Sequence, residues 1–241
     1  LIFLTLLASW ELSVDRGWIS AFFFPAPTTI ANTFLTQATN GTLGRAMTAT
    51  TLRLGSGLLL GGTVGLLIGL LMGWSAQLRR VVDPFMAALH PVPKISLLPL
   101  AMIIFGIGET SKIVLIAVSV FFPMLINTMA GVLQLPPIHL EVAHNYGASR
   151  VKLFQRVIIP GTLPAILTGV RLALNTGLVV TIAIELLSAR EGIGTMIWLA
   201  WETMRLKELY ASLLAIVLLG ICSHHLLHLL TRWLIPWQKL D

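Results

Sequence analysis

Apolar stretches separated by short polar breaks run along most of this chain. A helix needs about 20 apolar residues to cross a bilayer. The stretches 52–74, 81–108, 112–133, 162–187 and 209–230 approach or exceed that length. The first apolar run, 1–10, is too short, and the natural protein is expected to extend further upstream. It does not read as a signal peptide, because it lacks a basic start and a small-residue cleavage site. Counting that run, the pattern predicts six helices. Residues 18–40 carry the Pro25-Ala26-Pro27 break and many threonines, which suits an interfacial loop with a short helix. Pro91, Pro93 and Pro99 interrupt the third stretch, so a broken helix is expected there.

The second stretch holds Gly57, Gly61, Gly65, Gly69 and Gly73, each four residues from the next. That spacing lines one helix face and lets a second helix approach closely in lipid. Composition agrees with a membrane setting. Hydrophobic residues make up 56% and charged residues 11%, against about 25% charged in ordinary soluble domains. The fold class expected is an all-α membrane protein forming a single domain over 1–241, with no internal repeat. The net charge of +6 does not point to nucleic acid once the cations are placed. Arg79 and Arg80, then Arg150, Lys152 and Arg156, then Arg232 and Lys239, fall in loops on one side. The opposite loops balance Arg190, Arg205 and Lys207 with Glu191, Glu202 and Glu208. By the positive-inside rule the basic side is cytoplasmic. Cys222 is alone and excludes an intrachain disulfide.

The segment 136–160 is a polar, basic insert between two apolar stretches. Pro136 and Pro137 stop the preceding helix. Residues 141–145 suit a short helix, Gly147 a left-handed turn, and Ser149 an N-cap. Leu153 and Val157 share a face of the helix that follows, and Pro160 and Pro164 bracket entry into the fifth stretch.

Glu141, Ala143, Gly147 and Pro160 match, in identity and spacing, the Glu-Ala-Ala, three residues, Gly, nine residues, Ile-x-Leu-Pro pattern. Val142, Val157 and Ile159 depart from it conservatively. The chain thus resembles the permease subunits of ABC importers, in which this insert is the coupling loop. Further stretches resemble the branch serving nitrate, sulfonate, taurine and bicarbonate. They include His90-Pro91-Val92-Pro93, Phe105-Gly106-Ile107-Gly108-Glu109, the run 122–131 with Asn127, the run 160–174, and Glu185 followed by Gly192-Ile193-Gly194. The resemblance runs from about residue 25 to 237. It implies a type I importer fold and places Glu141, Val142, Ala143, Tyr146, Gly147, Ala148, Ser149 and Pro160 at a partner ATPase. It implies a second permease copy, two ABC ATPase subunits, an extracytoplasmic binding protein and inward transport by alternating access. The setting implied is the bacterial inner membrane, multi-pass, with insert and C-terminus cytoplasmic. ATP and Mg would reside on the ATPase. This chain carries no Walker A sequence and no nucleophile signature, and neither enzyme activity nor a bound cofactor is expected of it.

Ionisable residues within membrane helices are functional candidates. Arg171 lies ten residues beyond Gly161, about 15 Å along a helix. It either helps an anion through or pairs with a carbonyl or carboxylate to hold helices. Glu185 lies about 21 Å further on, near the outer face, where Arg53 is expected to pair with it. Lys94 follows the prolines and either lines a cavity or snorkels to the interface. Asn127 completes the pathway and gate candidates. His224, His225 and His228 lack a completing ligand, so no metal site is expected. Trp198, Trp201, Trp233 and Trp237 suit aromatic belts, and residues 188–208 suit a re-entrant outer loop. The rival is a transporter or channel driven by an ion gradient, which would need deep acidic or histidine relay groups. Within the family resemblance, an aromatic or pyrimidine-type substrate is the alternative to an anion.

Overall fold

The structure is a computed structural model and describes residues 2–236. In chain order its helices are α1 (Ile2–Asp15), α2 (Pro27–Thr39), α3 (Thr42–Trp74), α4 (Ala76–Leu89), α5 (Leu98–Phe105), α6 (Glu109–Leu133), α7 (Pro137–Asn145), α8 (Arg150–Leu153), α9 (Ile159–Ser188), α10 (Ile193–Glu202) and α11 (Leu206–Leu234). A 3-10 turn, Lys94–Leu97, precedes α5, and a π-helical turn, Phe154–Ile158, joins α8 to α9. No strand occurs among the described residues. Trp237 and Lys239 lie outside them.

Among the described residues, four helical stretches are long and apolar enough to cross a membrane: α3, α6, the run from Arg150 through Ser188, and α11. Helix α4 and the Lys94–Phe105 stretch form a pair bent by 88°, a fifth span if taken as one. With α1, only 14 residues long, these are the six segments expected. Two starts lie ten residues or more before the expected ones. Helix α3 starts at Thr42 rather than near 52, because residues 42–51 contain no proline and hydropathy marks only the apolar part of a helix. Gly41 at φ +78° sets its start, and the Asn40 side-chain oxygen accepts from the Thr42 N–H at 3.0 Å. The fifth span starts at Arg150 rather than after Pro160. Pro160 removes one backbone donor and crowds the carbonyl four residues earlier. The π-helical turn just before it widens the helix, so the chain continues instead of breaking.

The chain divides into two compact units, 1–52 with 181–223, and 53–180 with 224–241. In the second, the glycine face of α3 lies against α6. A Cβ on Gly65 would stand 2.6 Å from the Phe121 carbonyl oxygen, and one on Gly69 2.7 Å from that of Leu125. Backbone cannot step aside, so both positions admit only hydrogen. Leu70, Met124, Val132, Ile158 and Ile166 form a core there. At the bend between α4 and the 3-10 turn, Lys94 Nζ donates to the carbonyls of His90 and Leu89 and lies 4.5 Å over the Phe122 ring.

In the first unit, the Glu11 carboxylate accepts from the Thr28 N–H at 3.1 Å and its hydroxyl at 2.5 Å. It thereby fills a donor that the start of α2 would otherwise leave open. Tyr210 donates its hydroxyl to the Phe23 carbonyl at 3.2 Å and packs beside Trp10, ring centres 6.3 Å apart.

Candidate functional site

The insert is a helical elbow held from below. Helix α7 opens with Pro137 at its first position. That residue needs no N–H there and has its φ already set. The helix ends in a Schellman turn: the Gly147 N–H donates to His144 O at 2.9 Å, and the Ala148 N–H to Ala143 O at 3.0 Å. Gly147 sits at φ +69° with nothing within 4 Å of a hypothetical Cβ. The glycine is therefore there for the turn, and space around it stays open. Ser149 caps α8, its hydroxyl accepting from the Lys152 N–H at 3.4 Å.

The elbow has two faces. Leu140 and Phe154 pack on the core of Leu70, Met124, Val132, Ile158 and Ile166, and the Phe154 ring meets Trp74 edge-on with centres 6.0 Å apart. Ile138, Val142 and Tyr146, spaced four apart on one helical line, are 57%, 45% and 88% exposed. Glu141 is exposed beside them, and Ala143 and Ala148 are half-buried. An exposed apolar stripe on a short helix whose back is bolted to the core can receive a partner and transmit its push. Of the sequence-predicted insert residues, 141–149 therefore come together. Pro160 does not join them; it lies in the first turn of α9.

The pathway candidates fall in both units. Arg53 is buried and pairs with Glu109, Nε to Oε2 at 2.5 Å. Lys112, also buried, shares that carboxylate at 2.8 Å. Glu185 belongs to the other unit and is 1% exposed. The Thr50 hydroxyl stands 2.9 and 3.0 Å from its two carboxylate oxygens. The Gly194 N–H donates to it at 2.9 Å. Thr50 Oγ1 in turn accepts from the Ile193 N–H at 3.0 Å. The start of α10 is thus tied down by one buried carboxylate and one hydroxyl. Gly192, at φ +136°, lies so close that a Cβ would collide with the Glu185 carboxyl group.

Asn127 and Arg171 line one cavity of about 520 Å³ together with Gln134, Thr168 and Thr231. Lys94 lines a separate one of about 230 Å³ with His90, Phe122 and Thr176. No three His, Cys, Asp or Glu side chains converge as metal ligands among the described residues. Sequence reasoning missed Thr50, Glu109, Thr168, Leu140 and Phe154. Thr168 was findable: it precedes Arg171 by three residues and so shares its helix face. Thr50, Leu140 and Phe154 act across elements, which no local spacing encodes, and Glu109 reaches Lys112 at i,i+3 but Arg53 only across helices.

Comparisons with known proteins identify the family. The family model of the binding-protein-dependent transport system inner membrane component matches residues 61–240. The taurine transport system permease protein TauC of Escherichia coli (strain K12) is 35% identical over 97% of this chain and 86% of its own length. The putative aliphatic sulfonates transport permease protein SsuC of Bacillus subtilis (strain 168) is 32% identical over 97% and 85%. The formylaminopyrimidine transport permease protein ThiX of Halalkalibacterium halodurans is 30% identical over 99% and 95%. Among solved structures, a chain of the MetNI methionine ABC transporter superposes with a TM-score of 0.64 at 20% identity, covering 76% of this chain and 94% of that one, and so shares the fold. With its apolar spans, its two-faced elbow and these relatives, the chain belongs to the binding-protein-dependent transport system inner membrane components, the ABC importer permeases, in the branch that holds the taurine and sulfonate permeases.

Proposed function

We propose that this permease moves a small anion inward by alternating access, driven by ATP hydrolysed on separate subunits that grip the insert. The observation that carries it is the elbow: Ile138, Val142 and Tyr146 exposed on one face, Leu140 and Phe154 packed into the bundle on the other. In the proposed assembly, two permease copies face each other across the pathway. Two ATPase subunits hold ATP and Mg, and an extracytoplasmic binding protein delivers the solute. The insert and the C-terminus are cytoplasmic in this arrangement. Arg53, Lys94, Asn127, Arg171 and Glu185 are the proposed pathway and gate residues, and Pro160 the proposed hinge at the root of the elbow. Substrate is proposed as a sulfonate of the taurine and alkanesulfonate class, ahead of nitrate or bicarbonate, because the two relatives at 35% and 32% identity bear those names.

The test is Gly147→Asp. The change places a charged side chain into the open space at the elbow, in a backbone region that Asp tolerates. Membrane yield and thermal stability should match wild type, while ATP-dependent taurine or butanesulfonate uptake falls at least tenfold. Normal uptake by the variant would remove the coupling role from the insert. A pyrimidine-type substrate is the second reading, favoured by the ThiX relative aligned over 99% of the chain. Competition of uptake by formylaminopyrimidine but not by butanesulfonate would select it.

A further inference from the structure

The cavity of about 520 Å³ opens at the insert end of its unit. Its walls are the last turns of α6, the first turns of α9 and the end of α11. Three of its polar side chains are already engaged: Asn127 Nδ2 donates to Pro123 O at 2.8 Å, Thr168 Oγ1 to Pro164 O at 3.1 Å, and Thr231 Oγ1 to Leu227 O at 2.7 Å. The Arg171 guanidinium and the Gln134 amide have no such partner among the described residues. Both side chains are exposed on the cavity wall, so their donors are open to a ligand entering it.

Among the described residues that line the cavity, Arg171 is the only charged side chain, and no carboxylate faces it there. A concave wall lined by one sign of charge concentrates the opposite ion. The fork of N–H donors on arginine matches the oxygens of a sulfonate, phosphate or carboxylate. The volume lies in the range of small-molecule sites, about 300–1,000 Å³. Arg171 stands about 15 Å along α9 from Gly161, which favours a free solute over a headgroup held at the surface.

We propose that this cavity is an oxyanion subsite on the insert side of the bundle, with the Arg171 guanidinium as its charge partner and the Gln134 amide as its second donor. It deepens the permease function proposed above, on which it rests, by naming the chemical class that the inner half accepts. The full chain, purified with its copurifying ATPase and held in phosphatidylcholine nanodiscs, is titrated calorimetrically with 1-butanesulfonate. Butylammonium at matched ionic strength is the control. Sulfonate should bind and butylammonium should not. Arg171→Gln should weaken sulfonate at least tenfold, Arg171→Lys should keep part of the affinity, and exposed Arg190→Gln should leave it unchanged. If Arg171→Gln fails to fold, Gln134→Leu should still weaken sulfonate at least threefold. In a second arm, native mass spectrometry of nanodiscs containing phosphatidylglycerol asks whether that lipid is retained by wild type and released by Arg171→Gln. Retention of this kind without sulfonate binding keeps the oxyanion site and assigns its ligand to lipid phosphate. Equal binding of both probes by wild type and Arg171→Gln, or binding of neither by wild type, overturns the subsite. The coupling role is tested separately: normal uptake by Gly147→Asp removes it without touching sulfonate binding.

Discussion

Two glutamates in this chain are each followed by a glycine of positive φ, and the two are built in opposite ways. Glu141 stands six residues before Gly147, on an elbow open to solvent. Glu185 stands seven residues before Gly192, 1% exposed, and accepts from Thr50 and the Gly194 N–H. Around Gly147 nothing lies within 4 Å of an added Cβ, whereas at Gly192 the Cβ would strike the carboxylate itself. One glycine serves the backbone turn and leaves the space beside it open. The other makes room for a charge inside the protein. The same pair of residue types therefore yields an exposed elbow in one unit and a fixed anchor in the other.

The sharpest way to break this contrast is Gly192→Ala. Overpacking against the carboxylate adds to an unfavourable φ, and the two together should cost about 2–5 kcal/mol. That would appear as a large fall in the thermal midpoint of the detergent-solubilised protein. A midpoint equal to wild type would show that the collision is relieved by an easy side-chain shift. Next in size is Glu185→Gln, which keeps the shape but weakens charge-assisted bonds to Thr50 and Gly194. The expected loss is about 1–3 kcal/mol. Combined with Thr50→Val, its effect should be clearly less than additive, since both touch one network. Full additivity would mean that the two groups act independently. Smallest in stability is Tyr146→Ala at the exposed stripe, within about 0.5 kcal/mol of wild type. Its effect should appear instead as reduced copurification of the ATPase. A stability loss as large as that of Glu185→Gln would mean the elbow is part of the core rather than a surface for a partner.

Much of the elbow was readable from the sequence because its rules are local. Proline at the start of α7, glycine at a left-handed turn and serine before α8 act through bonds spanning three to five residues. The glycine line on α3 was also readable, since a spacing of four fixes a face whatever packs on it. Arg53 shows where such reading stops. A buried arginine announces that it needs a counter-charge, yet nothing local to Arg53 points to Glu109, fifty-six positions away, which the sequence offers only within a family-like run. The continuous helix through Pro160 was equally hidden, because proline ordinarily ends a helix and only the π-helical turn before it reconciles the two.

The sequence alone determined that this chain lies in lipid, which stretches are helical, and how the short insert turns. Those properties depend on hydropathy and on backbone rules within a few residues. The tertiary structure decided which polar groups satisfy one another and which are left facing a cavity. It sets Thr50 and Gly194 on Glu185, sets Glu109 on Arg53 and Lys112, and gathers Gln134 and Arg171 around open space. Partners far apart in the chain meet only when helices pack, and burial then makes each unmatched charge costly enough to demand one.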